Sequence, residues 1–368
     1  MNIFQRTETR NFLLLLACLL LTACRIEIDV PTSGEVVTSS GAIQCGAGEL
    51  CYVEVNDIFF DETFEAVPAE GFEFKGWKTQ DRGLCGGSTA PCRLVTSGAA
   101  DSEPFMAIIE NPNEEFYLHP EFQSTGFNAL FIGHSFFRPF AEGMPDHADR
   151  SGIDNHQQEV VFAGGPNGAP EALWNNSSKR EEIQSILNAG DVELFVMTYH
   201  PDYPTLTGYR NWIDYALEQN ADTRIAVAMP WGTYPEDFDT STYESLWEAY
   251  YAGEYADGID ALRRMYPQTE LFSIPYGQSA IELRKLLDAG ELPEVENMTS
   301  ADRSGIYTDQ LGHAGDILIE LGRLVWLRAI YGIDLEDYPY ESGYSVDLRE
   351  IATVIMDEHD PEYDAPYR

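Results

Sequence analysis

The chain has 368 residues, of which 44% are hydrophobic and 12% aromatic, and this is enough apolar material for two folded domains. Such a composition excludes a fully disordered chain. Acidic residues outnumber basic residues by 62 to 22, which gives a formal net charge of −40. A surface of this sign repels phosphate backbones, so we expect no nucleic-acid partner.

The first 23 residues are predicted to be an export signal. Arg6 and Arg10 precede an apolar run at 12–21 that is shorter than a membrane-spanning helix requires. The run ends in the tetrapeptide LTAC at 21–24, which resembles the bacterial lipobox. The resemblance implies that Cys24 is the lipidated first residue of the mature protein, on the extracytoplasmic side of the envelope (periplasm or cell surface). The lipid would then be its only contact with a membrane, and the alternative is an ordinary signal peptide cleaved at the same point.

Four further cysteines, Cys45, Cys51, Cys85 and Cys92, lie within 48 residues. In an exported protein this number favours two disulfides, of which the sequence allows three pairings. We favour Cys45–Cys51 and Cys85–Cys92, because each pair would close a short local loop. The alternative is a zinc site with four thiolate ligands, but the spacing contains no C-x₂-C knuckle.

Residues 24–123 contain short alternating segments separated by Gly, Pro and Asp, which predicts a small β-domain. The segment 71–77 (GFEFKGW), the cysteine loop at 85–92 and the segment 120–122 (PEF) resemble a divergent internalin-type bacterial repeat. This resemblance implies a spacer or adhesive module without chemistry of its own.

From 124 to 335 apolar runs alternate with amphipathic stretches, which predicts a parallel sheet covered by helices on both faces. Residues 336–368 form an acidic C-terminal extension. The predicted strands are Ala129–Ile132, Glu159–Phe162, Leu194–Met197, Arg224–Met229 and Glu270–Ile274. The predicted helices are Lys179–Leu187, Gly208–Glu218, Ser241–Met265, Ala280–Ala289 and Ala314–Ile330.

Ser135 is the first candidate for chemistry. It follows an apolar strand that ends at Gly133, in the run NALFIGHSFF at 128–137. A serine at a strand-to-helix turn projects into the crevice above a parallel sheet, where backbone N–H groups favour a developing negative charge. The alternative is that Ser135 only caps the helix.

Asp309 and His313 are the candidate partners of this serine, because they precede the last long helix of the domain. Serine is a weak nucleophile and needs a base, usually a histidine oriented by a carboxylate. His313 is therefore predicted to accept the Ser135 proton and Asp309 to orient His313.

The blocks FIGHSF at 131–136 and IPYGQSA at 274–280, with the late Asp–His pair, resemble the SGNH (GDSL-like) hydrolase superfamily. More narrowly, they resemble its branch with a Phe-Ile-Gly-Asn-Ser-Phe first block. The resemblance implies a three-layer, flavodoxin-like α/β fold, no metal or cofactor, and ester hydrolysis through an acyl-serine. It also implies an oxyanion hole built from the N–H groups of Ser135 and Gly165, with Asn167 or His200 in the place of the usual asparagine.

Two positions depart from the family pattern. Three residues separate Asp309 from His313, where the family has Asp-x-x-His, and His134 replaces the usual Asp or Asn before the serine. His134 is a rival base by proximity, although adjacent residues on a tight turn rarely point at each other.

Together these features predict an extracytoplasmic esterase that removes acetyl or other short acyl groups from a carbohydrate or another acylated small molecule. The alternative is a non-catalytic SGNH-like surface protein that binds glycans or mediates adhesion. No phosphate-binding loop, H-E-x-x-H or G-x-S-x-G motif is present in the sequence.

Overall fold

The computed structural model describes residues 24–69, 71–99, 101–336 and 338–365. The predicted signal peptide at 1–23 lies outside the described residues. The described chain divides into two compact units, the first ending at about residue 122 and the second beginning at 123, with residues 71–73 also in the second. Within the described ranges, no helix has both the length and the apolar content needed to cross a bilayer.

The first unit is built mainly from antiparallel strands, which form a three-stranded sheet (β4-β1-β8) and a four-stranded sheet (β3-β2-β5-β7). Alternation explains the strands: in Cys24–Asp29 the side chains of Ile26 and Ile28 are buried, whereas Arg25 and Asp29 are exposed. The elements are β1 Cys24–Asp29, β2 Gly34–Thr38, β3 Gln44–Cys45, β4 Leu50–Val55, β5 Asp61–Pro68, β6 Phe72–Trp77, β7 Cys92–Val95, α1 Glu103–Ile109, β8 Glu115–Tyr117 and β9 Pro120–Ser124.

Two disulfides connect Cys45 with Cys51 and Cys85 with Cys92, which confirms the predicted pairing. The alternative of a four-thiolate zinc site is thereby excluded, since these thiols are consumed in disulfides. Trp77 is a core residue, 1% exposed, and its Nε1–H donates to the carbonyl of Ala90. The resemblance of this unit to internalin-type repeats stays a prediction.

The second unit contains a five-stranded parallel sheet with the order β11-β10-β12-β13-β14. In chain order this is 2-1-3-4-5, the flavodoxin-like arrangement, so the predicted fold class is confirmed. Four of the five strands form where the sequence has apolar runs, because a sheet covered on both faces buries nearly every side chain. The edge strand Gln157–Phe162 begins with three polar residues and is mostly not buried. The strands are β10 Asn128–Gly133, β11 Gln157–Phe162, β12 Leu194–Thr198, β13 Arg224–Ala228 and β14 Leu271–Ile274.

Helices flank this sheet, and the five helical stretches predicted from the sequence all occur. A π-helical turn, Tyr251–Tyr255, joins α7 to α8. In the acidic extension, α11 packs against α10 and buries Ile355 and Met356. The helices are α2 Arg138–Ala141, α3 Met144–Arg150, α4 Pro170–Asn175, α5 Ser177–Leu187, α6 Thr207–Gln219, α7 Thr240–Tyr250, α8 Ala256–Met265, α9 Gln278–Ala289, α10 Asp316–Tyr331 and α11 Leu348–Asp357.

Candidate active site

Ser135 lies in a tight turn between the end of β10 and the start of α2. The carbonyl of His134 accepts hydrogen bonds from the N–H groups of Phe137 and Arg138, at 3.1 and 3.3 Å, and these bonds close the turn. Gly133 permits this turn, since a Cβ there would lie 2.5 Å from both Phe137 Cδ1 and Thr198 Oγ1. The Ser135 hydroxyl is therefore held, partly buried, at the carboxyl edge of the sheet.

The structure brings Ser135, His313 and Asp309 together. His313 Nε2 lies 2.8 Å from Ser135 Oγ, and His313 Nδ1 lies 2.7 Å from Asp309 Oδ2. A carboxylate only accepts hydrogen bonds, so Asp309 fixes the neutral ring with its proton on Nδ1. Nε2 is then free to accept a proton from the serine hydroxyl, which is the geometry a general base needs.

The longer Asp309–His313 spacing is accommodated by the loop that contains both residues. Asp309 Oδ1 accepts the N–H groups of Gly312 and His313, at 3.1 and 3.2 Å, while Oδ2 receives the imidazole. Gly312 adopts φ +98°, a conformation that residues with a Cβ strongly disfavour. Gly312 lets the chain turn back, so that His313, four positions after Asp309, still reaches the Asp309 carboxylate.

The same hydrogen bonds set the ionisation of Asp309. Burial opposes its charged form, but the bonds from the His313 ring and from the backbone N–H groups outweigh burial and hold the pKa of Asp309 below its ordinary value. The carboxylate therefore stays charged at neutral pH and can stabilise an imidazolium on His313.

Trp231 and Phe136 support this loop, and sequence reasoning did not assign them that role. Trp231 Nε1–H donates to the Gly312 carbonyl at 2.9 Å, and the indole stacks on the Phe136 ring at 5.0 Å. Phe136 in turn contacts the His313 ring edge-on, with 5.3 Å between centroids. The only sequence signal was the position of Trp231, three residues after β13 ends.

His134 points away from the serine. Its Nε2–H donates to the Tyr199 carbonyl at 2.8 Å, and its Nδ1 accepts the Phe136 N–H at 3.4 Å. Burial lowers the pKa of His134 to about 4, so the ring is neutral at pH 7. Because both ring nitrogens are occupied, His134 acts as a structural tie between the serine turn and the end of β12.

Gly165 opens the glycine turn that follows β11, with φ +53°. This turn packs closely on the serine strand, since a Cβ on Gly168 would lie 2.4 Å from the Gly133 carbonyl oxygen. Within the described part of the chain, neither Ser135 nor Gly165 donates its backbone N–H to another group. Both donors are thus available to an oxyanion.

The two candidates for the third donor have different surroundings. Asn167 is exposed, and its amide makes a 3.3 Å bond to the Gly164 carbonyl. His200 is partly buried, and its ring lies 5.0 Å from the ring of His134. His200 Nδ1 accepts the Asp202 N–H, so Nε2 carries the proton of the neutral ring and can donate it. Burial lowers the pKa of His200, which favours that neutral form.

Comparisons with known proteins give no family assignment. No family model matches the chain, and no curated protein matches it. Among solved structures, a DUF4886 family protein from Bacteroides uniformis has 16% identity and a TM-score of 0.41, covering 62% of this chain and 93% of its own. A Clostridium thermocellum family 3 carbohydrate esterase has 12% identity and a TM-score of 0.35, covering 62% of this chain and all of its own.

The periplasmic domain of a lipopolysaccharide acetyltransferase from Salmonella ser. Paratyphi A has 17% identity and a TM-score of 0.28. That match covers 43% of this chain and 69% of the other. With TM-scores below 0.5, these likenesses assign neither a family nor an activity to this chain.

Proposed function

We propose that this protein is a serine esterase of the SGNH type that removes acetyl or other short acyl groups from a carbohydrate. The observation that carries the proposal is the hydrogen-bonded chain from Asp309 through His313 to Ser135, with both links at 2.8 Å or less. A serine in this arrangement is activated for attack on a carbonyl carbon.

In the first step, Ser135 Oγ would attack the ester carbonyl carbon while its proton moves to His313 Nε2. The N–H groups of Ser135 and Gly165, with His200 as third donor, would stabilise the negative charge on the carbonyl oxygen. The bond to the sugar oxygen then breaks, and His313 returns the proton to that oxygen as the alcohol leaves.

In the second step, water would attack the acyl-serine. His313 takes the proton of the water, the tetrahedral intermediate collapses, and the carboxylic acid leaves as Ser135 recovers its proton. Asp309 keeps the imidazole oriented and stabilises its charge in both steps.

The alternative is a non-catalytic SGNH-like surface protein for glycan binding or adhesion, and the altered Asp–His spacing and the lack of a Gly-x-Asn block at the end of the third strand favour it. A His313 ring out of reach of Ser135, with no other base near, would support that alternative. The 2.8 Å separation supports the enzyme instead.

Hydrolysis of a series of chromogenic short-chain esters by the purified full chain tests the proposal. Ser135→Ala and His313→Ala should each lower kcat/KM by about 10³-fold or more. Ser151→Ala is the matched control, because among the described residues the Ser151 hydroxyl bonds only the carbonyl of His147, at the end of α3. Wild-type activity that survives Ser135→Ala would refute the mechanism.

The same proposal places the enzyme outside the cytoplasm, anchored through a lipid on Cys24. The LTAC tetrapeptide and the two disulfides support this location. Cys24 opens β1 and forms no disulfide with any described residue. Metabolic labelling with a fatty-acid analogue tests the anchor: the wild-type chain should take up the label and Cys24→Ser should not. Equal labelling of both chains would exclude Cys24 as the anchor.

A further inference from the structure

A cavity of about 360 Å³ opens at the carboxyl ends of β12 and β13, bounded by α6, α8 and the π-helical turn. Its polar lining is Tyr199, Thr205, Tyr209, Glu254, Tyr255 and Asp257, and we call it the tyrosine pocket. The volume lies at the lower end of the range for small-molecule sites and suits a group of the size of one sugar ring.

The tyrosine pocket adjoins the serine turn through Tyr199. The Tyr199 carbonyl receives the hydrogen bond from His134, the residue before Ser135, while the Tyr199 side chain lines the pocket. The next residue is His200, the candidate third oxyanion donor. Tyr199 thus connects the pocket to the serine turn, although Ser135, His200 and His313 are not among the described residues that line the pocket.

Glu254 and Asp257 are the charged residues of the lining, and neither lysine, arginine nor histidine is among the described residues that line the pocket. The rest of the wall is tyrosine rings, Thr205, Pro204, Gly258 and aliphatic side chains. An anionic ligand would face two carboxylates with no counter-charge, so the pocket disfavours anions.

Tyr209 provides the second observation. Its hydroxyl is buried and has no hydrogen-bond partner among the described residues, and the residue is only 5% exposed. The neighbouring Tyr199 hydroxyl, by contrast, donates to Glu254. Because the Tyr209 hydroxyl has almost no accessible surface, Tyr209 contributes its ring to the pocket wall.

The π-helical turn forms one wall of the pocket. Such turns are rare, and they are often found at functional sites. Here the turn contributes Glu254 and Tyr255 to the lining, and Tyr255 is fixed by a 3.0 Å bond from its hydroxyl to the Pro230 carbonyl. The hydrogen bond of Tyr255 thus holds the π-helical turn, and with it the Glu254 carboxylate, against the loop after β13.

We infer that the tyrosine pocket binds the uncharged, hydroxyl-bearing sugar ring of the substrate and rejects sugars that carry a carboxylate. The tyrosine rings would cover the apolar face of the sugar, and its hydroxyls would bond Glu254 and Asp257. That the bound sugar is part of the substrate rests on the proposed function. Binding of the sugar itself can be measured without any hydrolysis.

Calorimetric titration of the full chain with methyl glycosides of glucose, galactose, mannose and xylose tests the inference, with methyl glucuronide and methyl galacturonide as the acidic counterparts. At least one neutral glycoside should bind, and its acidic counterpart should bind about tenfold or more weakly. Glu254→Gln should weaken the neutral ligand by about tenfold, and Glu254→Gln and Asp257→Asn should each reduce the discrimination against the acid.

Matched controls lie on α6 outside the pocket. Tyr215→Phe removes a hydroxyl that bonds Asn188, and Glu218→Gln removes an exposed carboxylate, so both should bind as the wild type does. The inference is overturned if no neutral glycoside binds, if the uronides bind equally well, or if the pocket variants match their controls. If the wild-type chain binds a neutral glycoside but hydrolyses no ester, the proposed function is refuted and the sugar-binding role of the tyrosine pocket still holds.

Discussion

His313 Nε2 lies 2.8 Å from Ser135 Oγ, although the two residues are 178 positions apart in the chain. The two residues meet because one follows the first strand of the parallel sheet and the other lies on the loop before α10. Parallel strands place their carboxyl ends along one edge, so loops distant in sequence meet there. The predictions below concern how this contact is held and what it does.

Asp309→Asn should lower kcat for ester hydrolysis by about 10²- to 10⁴-fold, because an amide can present a donor to Nδ1 and stabilise the wrong tautomer. The side chain of Asp309 is 48% exposed, so water can replace part of its effect and the lower end of that range is expected. Steady-state kinetics measure the change. Asp222→Asn, an exposed carboxylate far from the loop, is the control. An unchanged kcat in Asp309→Asn would mean that His313 needs no carboxylate.

Gly312→Ala should damage both stability and activity. Its φ of +98° strains any residue with a Cβ, by about 1–2 kcal/mol, and the new Cβ would lie 3.0 Å from Pro235 Cδ. Gly290→Ala is the matched control, since Gly290 has φ +74° at the end of α9 with no atom near its Cβ position. Both variants should unfold more easily, but only Gly312→Ala should lose kcat. Equal kcat in the two would show that the loop geometry does not matter.

Trp231→Phe removes the hydrogen bond to the Gly312 carbonyl and keeps a ring against Phe136. We expect kcat/KM to fall by about five- to tenfold, since one hydrogen bond contributes about 1 kcal/mol. Trp212→Phe removes an equivalent 2.8 Å bond to the Pro170 carbonyl elsewhere in the same core. The second variant should lower the free energy of unfolding and leave kcat/KM unchanged. Equal losses of kcat/KM would assign the effect to general destabilisation.

His147 should make the second unit sensitive to acid. Burial, with the charges of Arg323 and Arg150, lowers the pKa of His147 to about 4 in the folded chain, against about 6.5 when unfolded. Between these values the unfolded chain binds a proton that the folded chain does not. The contribution of neutral His147 to the free energy of unfolding is therefore fully present above pH 6.5 and is lost as the pH falls toward 4.

Urea unfolding at pH 6 and pH 5 measures this dependence. His147→Gln should reduce the change in the free energy of unfolding between those two pH values by up to about 1.4 kcal/mol. An identical change in the variant and the wild type would mean that His147 is protonated in the folded chain.

The strands of the parallel sheet were predictable because each contains a short apolar run, although the edge strand β11 begins with three polar residues. Leu194–Thr198, for example, is buried at every position. The Ser135, His313 and Asp309 set was predictable because each residue stands at a strand end or a helix start, where active sites of such sheets lie. The disulfides followed from the short loops that each pair closes.

Other features depend on contacts that no local pattern encodes. The hydrogen bond between Trp231 and Gly312 joins residues 81 positions apart. The structural role of His134 depends on its hydrogen bond to the Tyr199 carbonyl, which the sequence does not indicate. The helix α11 was not predicted, because the segment around it is rich in acidic residues. Its apolar residues Leu348, Ala352 and Ile355 nevertheless repeat at helical spacing and are buried.

The most direct test of the central claim is covalent labelling of the full chain with a fluorophosphonate, followed by mass-spectrometric mapping of the modified residue. Such a reagent reacts with a serine that a neighbouring base has activated. The account predicts one adduct, on Ser135, that is absent in His313→Ala. An unmodified Ser135, or equal labelling of Ser135 in the wild type and in His313→Ala, would contradict it.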